Sequence, residues 1–179
     1  MDEHNLQETL GREESAERLV AFGGAIKALD DSGRVGGYLV AFGNPDDKDL
    51  QGEYFTKDTD FHLDDYPIVG ERVLYHHGLD STIGIRAIGK ITEAHMDDVG
   101  IWAEAQLKLA DEYQRAIFEM VKRGKLGWSS GALPQSYRRA SDGHITSWAI
   151  QEGSQTPTPA QPIKTRVTTL KALLELDGD

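Results

Sequence analysis

Residues 99–133, VGIWAEAQLKLADEYQRAIFEMVKRGKLGWSSGAL, hold a strand, a helix and a second strand in succession. Ile101, Ala103, Ala105, Leu107 and Leu109 alternate with Trp102, Glu104, Gln106 and Lys108. A period of two with one apolar face is the pattern of a half-buried antiparallel strand. From Asp111 the period lengthens: Tyr113, Ile117, Met120 and Val121 recur at spacings of three and four, which predicts a helix over 111–123 lying on a sheet. Asp111 can cap that helix, Glu112 and the Lys122–Arg123 pair suit its two ends, and Gly124 supplies a left-handed stop. Leu126 to Leu133 then reads as a strand.

Working outward, Ile83 to His95 reads as the hairpin partner of Val99 to Leu109, joined through Met96-Asp97-Asp98. Arg72 to His76 is a short strand, broken by Gly78, Leu79, Asp80 and Ser81. Gly36 to Gly43 is an apolar run ended by the turn residues Asn44, Pro45, Asp46 and Asp47. Residues 44–65 carry eight acids and two lysines with little periodicity, which predicts a surface loop. Downstream, a second hairpin turns at Ser141-Asp142-Gly143 and returns through His144 to Glu152. Pro157, Pro159 and Pro162 end the sheet. Val167, Leu170, Leu173 and Leu174 then recur at the spacing of a short amphipathic helix. The plan is an acidic N-terminal tail over 1–35, one domain over 36–162 and a C-terminal tail over 163–179. The fold class is a β-rich α+β domain of antiparallel strands.

Composition narrows the chemistry. The chain has 179 residues with 30 acids against 19 lysines and arginines, a net charge of −11. That charge opposes a general nucleic-acid binder, which needs a positive surface. No run approaches the roughly 18 apolar residues of a membrane span, and the acidic start (Asp2, Glu3, Glu8) is the reverse of a signal peptide, so a soluble, unexported protein is expected. The absence of cysteine excludes disulfides, Cys-based zinc or iron–sulfur sites and a thiol nucleophile. No His-Glu-x-x-His motif or tightly spaced acid/His cluster is present, so no metal and no cofactor is expected.

Gly127, Trp128, Ser129, Ser130 and Gly131 match the G-x-S-x-G of α/β-hydrolases in form only. That fold needs a strand-to-helix elbow with acid and histidine downstream, whereas here the helix precedes the serine and only His144 follows. What remains is a serine between glycines, histidines upstream and an acid downstream. A serine hydroxyl needs a base to become nucleophilic, imidazole suits that role near neutral pH, and a third group must orient the ring. Ser129, His77 and Glu152 can supply the three parts. His76 and His77 end a strand on opposite faces, so only one of them belongs to such a site. His144, eight residues before Glu152 on the same expected strand, shares its face but sits some 26 Å away at about 3.3 Å per residue.

Three ordered motifs resemble those of the HK97-type phage prohead, or capsid maturation, protease family. Val73-Leu74-Tyr75-His76-His77-Gly78 followed by Ile83-Gly84 is similar to its histidine motif, with His77 in the catalytic position. Lys122 to Pro134, a helix end, a glycine and a strand carrying Ser-x-Gly, is similar to its serine motif and puts Ser129 on the nucleophile. Trp148-Ala149-Ile150-Gln151-Glu152-Gly153-Ser154, then Thr158-Pro159-Ala160-Gln161-Pro162, resembles its third motif, Glu-x-Ser and a proline-rich exit. The resemblance spans about residues 36–162.

It implies a serine endopeptidase with the fold of herpesvirus assemblins, an antiparallel β-barrel with flanking helices, and the catalytic set His77, Ser129 and Glu152. Assemblins use a second histidine as third member, which keeps His144 as the alternative to Glu152. The implied partners are the major capsid protein and its scaffold segment, cleaved inside the procapsid in the host cytoplasm, with self-cleavage and room for a homo-oligomer, and with neither nucleic acid nor membrane. The alternative is an inactive protease-fold scaffold or assembly factor that binds the capsid protein through its acidic tail and terminal helix. Backbone amides near Ser129, or the Arg138–Arg139 pair, are the candidate oxyanion donors. Residues 108–139 hold seven basic residues against three acids, which favours an acidic substrate segment.

Overall fold

In the computed structural model, which describes residues 19–49, 52–157 and 167–169, the alternation at 101–107 forms β6 (Gly100–Leu107). Ile101, Ala103, Ala105 and Leu107 are buried, while Gln106 is exposed. β6 lies between β5 (Gly89–Met96) and β3 (Arg34–Ala41), antiparallel to both. Asp97 shapes the β5–β6 turn: its carboxylate accepts the N–H groups of Val99 at 2.7 Å and Gly100 at 3.1 Å. The partner strand is shorter than its apolar pattern predicts. Asp80 accepts the N–H groups of Thr82 and Ile83, both at 2.9 Å, and starts a run of turns that leaves Ile85 74% exposed.

The remaining strands are β1 (Leu19–Ala25), β2 (Lys27–Ala28), β4 (Arg72–Tyr75), β7 (Leu126–Ala132), β8 (Arg138–Arg139), β9 (Ile145–Ser147), β10 (Ile150–Pro157) and β11 (Val167–Thr169). Nine strands form one sheet in the order β11-β1-β7-β10-β4-β5-β6-β3-β2, and only the β10–β4 pair is parallel among those registered. The sheet curls until β1 lies against β3, making a nearly closed barrel. Glycine permits that approach: a Cβ on Gly23 would stand 2.3 Å from the Tyr38 carbonyl oxygen, and one on Gly37 2.4 Å from that of Ala25. Leu39, Val73, Ile91, Leu126 and Trp128 belong to the single main core.

The helix α1 (Glu112–Lys122) packs against β2 and adds Ile117, Phe118 and Val121 to that core. Asp111 caps it as expected, accepting the Gln114 N–H at 2.8 Å. The buried stripe is rotated by one residue from the predicted face. Tyr113 is 45% exposed, and Gln114 takes the inward position because its side-chain oxygen accepts the Ala110 N–H at 2.9 Å.

Three segments differ from the sequence reading. The stretch expected as a tail through residue 35 supplies β1, β2 and the start of β3, with Val20 and Ala21 buried. Val167–Thr169 form a strand paired with β1 where helical spacing predicts a helix, while Leu170, Leu173 and Leu174 lie outside the described residues, as do residues 1–18. The acidic 44–65 stretch carries Phe55 and Phe61 into the main core and is tied down by bridges from Tyr54 to His144 and from Asp60 to Ser147. Acids on its outer side conceal two aromatic anchors.

Glu53 holds that strap against the β8–β9 hairpin. Its Oε1 accepts the Tyr137 hydroxyl and the Arg139 Nε–H, the latter at 3.2 Å. Burial pushes its carboxyl above the usual range despite these two partners. A raised folded-state value means a stabilising contribution that is complete in acid and lost as pH rises through that value. Glu53→Gln fixes the neutral form, so its melting temperature should gain on the parent's as pH rises from about 4 to about 7. Paired thermal melts check this; a difference that does not change with pH contradicts it.

Candidate active site

β4 runs parallel beside β10, with Val73 opposite Gly153 and Leu74 opposite Ser154. The chain then leaves the sheet through three consecutive left-handed residues, His76 (φ 48°), His77 (φ 55°) and Gly78 (φ 79°). For a residue with a Cβ that conformation costs about 1–2 kcal/mol. The turn replaces the strand alternation expected at the two histidines. His77 swings over β10 and is buried, while His76 stays half-buried beside the Tyr75 ring.

β7 lies between β1 and β10, buried throughout. Its period of two sorts the adjacent serines. Ser130 turns toward the core, where its hydroxyl accepts the Trp148 indole N–H at 3.2 Å. Ser129 and Gly131 face the other way, opposite Ser154 and Glu152 of β10 in the register. A register shift between Ile150 and Glu152 aligns the glutamate with Gly131.

On this face the side chains form one hydrogen-bonded chain. The Ser129 hydroxyl is 2.8 Å from His77 Nε2, and His77 Nδ1 is 2.6 Å from Glu152 Oε1. An ionised carboxylate only accepts, so Nδ1–H donates to Glu152 and leaves the Nε2 lone pair for the serine proton. Ser154 joins the two ends: its hydroxyl accepts the His77 backbone N–H and donates to Glu152 Oε1, both at 3.0 Å. Ser129 is 0% exposed, His77 4% and Glu152 5%, so water screens these contacts little. Val20, Phe22 and Leu79 make a small apolar cluster apart from the main core, and Phe22 is the β1 register partner of Ser129. The serine therefore has an apolar neighbour on its own face.

Gly131 explains the Ser-x-Gly spacing. A Cβ there would stand 3.1 Å from Glu152 Oε2 and 3.3 Å from Glu152 Cβ, in the space the glutamate fills. Gly131 and Ser154 each follow Ser129 and Glu152 by two residues, which is the only trace of their roles in the sequence.

His144 is elsewhere. The expected strand from His144 to Glu152 is broken: β9 pairs with β8 in a separate two-stranded sheet, and β10 begins only at Ile150. The His144 ring stacks on Tyr54 at 5.2 Å, and its Nε2 lies 2.8 Å from the Thr56 hydroxyl. The arginine pair is also engaged away from Ser129. Arg138 donates to the carbonyls of Gln135 and Tyr137, both at 2.8 Å, and Arg139 is paired with Glu53. Among the described residues no group of three or more His, Asp or Glu is placed to hold a metal ion.

A family model described as caudovirus prohead serine protease matches residues 25–171. No curated protein and no solved structure matches the chain. If Gly131 makes room for Glu152, Gly131→Ala should displace the carboxylate and slow labelling of the chain by a fluorophosphonate on the order of 10²-fold. Circular dichroism checks that the variant is folded; an unchanged labelling rate contradicts the assignment.

Proposed function

We propose that this chain, which belongs to the caudovirus prohead serine protease family, is a capsid maturation endopeptidase with Ser129 as nucleophile, His77 as general base and Glu152 as its orienting partner. The observation that carries the reading is the continuous hydrogen-bond chain from the Ser129 hydroxyl through both His77 nitrogens to Glu152. A protein that only scaffolds assembly has no use for a buried serine, imidazole and carboxylate so aligned, which favours the enzyme over the inactive alternative.

The reaction follows from the two bonds. Ser129 Oγ bonds to the scissile carbonyl carbon while its proton passes to His77 Nε2, and the carbonyl electron pair moves onto oxygen. Glu152 stabilises the imidazolium and holds its Nε2–H toward the departing amine. Collapse of the tetrahedral intermediate breaks the C–N bond, and the amine leaves with that proton. Water then repeats the sequence on the acyl-serine, releasing the acid and restoring Ser129. Proton transfer of this kind accounts for roughly 10²–10⁴-fold in rate.

The proposed substrates are the major capsid protein and its scaffold segment, met inside the procapsid in the host cell, with the chain's own tails as further cleavage sites. Among the described residues no helix is long and apolar enough to cross a membrane. Coexpression with the capsid protein tests the proposal. The parent should shorten the capsid protein, Ser129→Ala should leave it at full length, and Glu152→Gln should slow processing roughly 10²–10⁴-fold. Processing at the parental rate by Ser129→Ala contradicts the assignment.

A further inference from the structure

We propose that Ser154 is a positioning residue of this reaction, its hydroxyl fastening the His77 turn and the Glu152 carboxylate into one rigid unit. The proposal rests on the reading of Ser129, His77 and Glu152 as the catalytic set. Ser154 is fully buried, and its single hydroxyl proton is committed to Glu152 Oε1 at 3.0 Å. Its oxygen accepts the His77 backbone N–H, also at 3.0 Å. Both bonds thus have a fixed direction.

The two partners need different kinds of help. His77 sits in a left-handed conformation that a side chain disfavours, so its imidazole keeps its place only while the turn is held from outside. The Ser154 bond acts on the backbone of that same residue. Glu152 has a flexible side chain, and Ser154 fixes the oxygen that also receives His77 Nδ1. Strand geometry makes the arrangement available. Ser154 is two residues after Glu152 on β10 and hence on the same face, it lies opposite Ser129 on β7, and it lies beside Leu74 on β4, three residues before His77. One side chain therefore ties the turn that follows β4 to the glutamate of β10, on the face that Ser129 shares. Its hydroxyl is bonded to His77 and Glu152 rather than to the reacting Ser129 hydroxyl, so it acts through its neighbours.

Saturation kinetics of fluorophosphonate labelling separate this role from general stability. Ser154→Ala should lower the maximal labelling rate about 10–100-fold while the half-saturating probe concentration changes less than about 3-fold. In a Glu152→Ala background, where only the bond to the His77 N–H remains, the same substitution should cost clearly less than it does in the parent. Full labelling by Ser154→Ala, or an equal loss in both backgrounds, overturns the proposal. If Ser154→Ala does not fold, Ser154→Cys conserves the shape with a weaker donor and should still lose rate; parental rates there overturn the proposal equally. Ser129→Ala separates this idea from the one beneath it. Continued labelling of that variant removes the catalytic assignment itself, whereas its inertness beside a fully reactive Ser154→Ala removes only the role of Ser154.

Discussion

A slip of one residue between paired strands turns every side chain to the opposite face, and β7 against β10 is held from slipping by what lies on each side. Toward the core stand Trp128 and Ser130, with Gln155 and Gly153 opposite them; a Cβ on Gly153 would already meet Ile91 and Trp128, at 3.2 Å and 3.5 Å. Away from it stand Ser129 and Gly131, facing Ser154 and Glu152. A shifted register would put the hydroxyl and carboxylate into the apolar core and leave an indole outside. The hydrophobic barrel and the polar chain thus enforce the same alignment, and the geometry of Ser129, His77 and Glu152 follows from it.

The histidine is supplied differently. It comes from a turn rather than a strand, and a left-handed turn at two successive non-glycine residues is paid for only where surrounding contacts require it. Here those contacts are hydrogen bonds to β10 from both the backbone and the side chain of His77. The strain and the site are the same feature: a relaxed backbone at 76–78 would carry the imidazole away from Ser129. Burial then makes each of these bonds stronger than it would be in water.

Periodicity made much of the fold legible. The two-residue alternation of β6, the capped helix and the strand β7 follow from local residue pattern. Features set by distant partners were not legible. β1 is masked by the Glu-rich segment before it, and Phe55 and Phe61 stand among eight acids, although both reach the core. His144 and Glu152 read as one strand because no turn residue marks the break at Trp148-Ala149. The serine, the histidine pair and the acid were visible as residue types, but the choice of His77 over His76 came from resemblance to a motif. Alternation predicted only that one of the two serves the site, since it knows nothing of the turn. Ser154 and Gly131 carried no chemical signal; their roles depend on the register between strands.

The central claim is that the hydroxyl of Ser129, made reactive by His77, is the nucleophile. Mass-spectrometric mapping of the fluorophosphonate adduct tests it most directly, because fragmentation of the peptide spanning residues 126–138 distinguishes Ser129 from Ser130. The adduct should form on Ser129 in the parent protein and be absent in His77→Ala. An adduct on Ser130, or one on Ser129 that forms as fast without the imidazole, would contradict that claim.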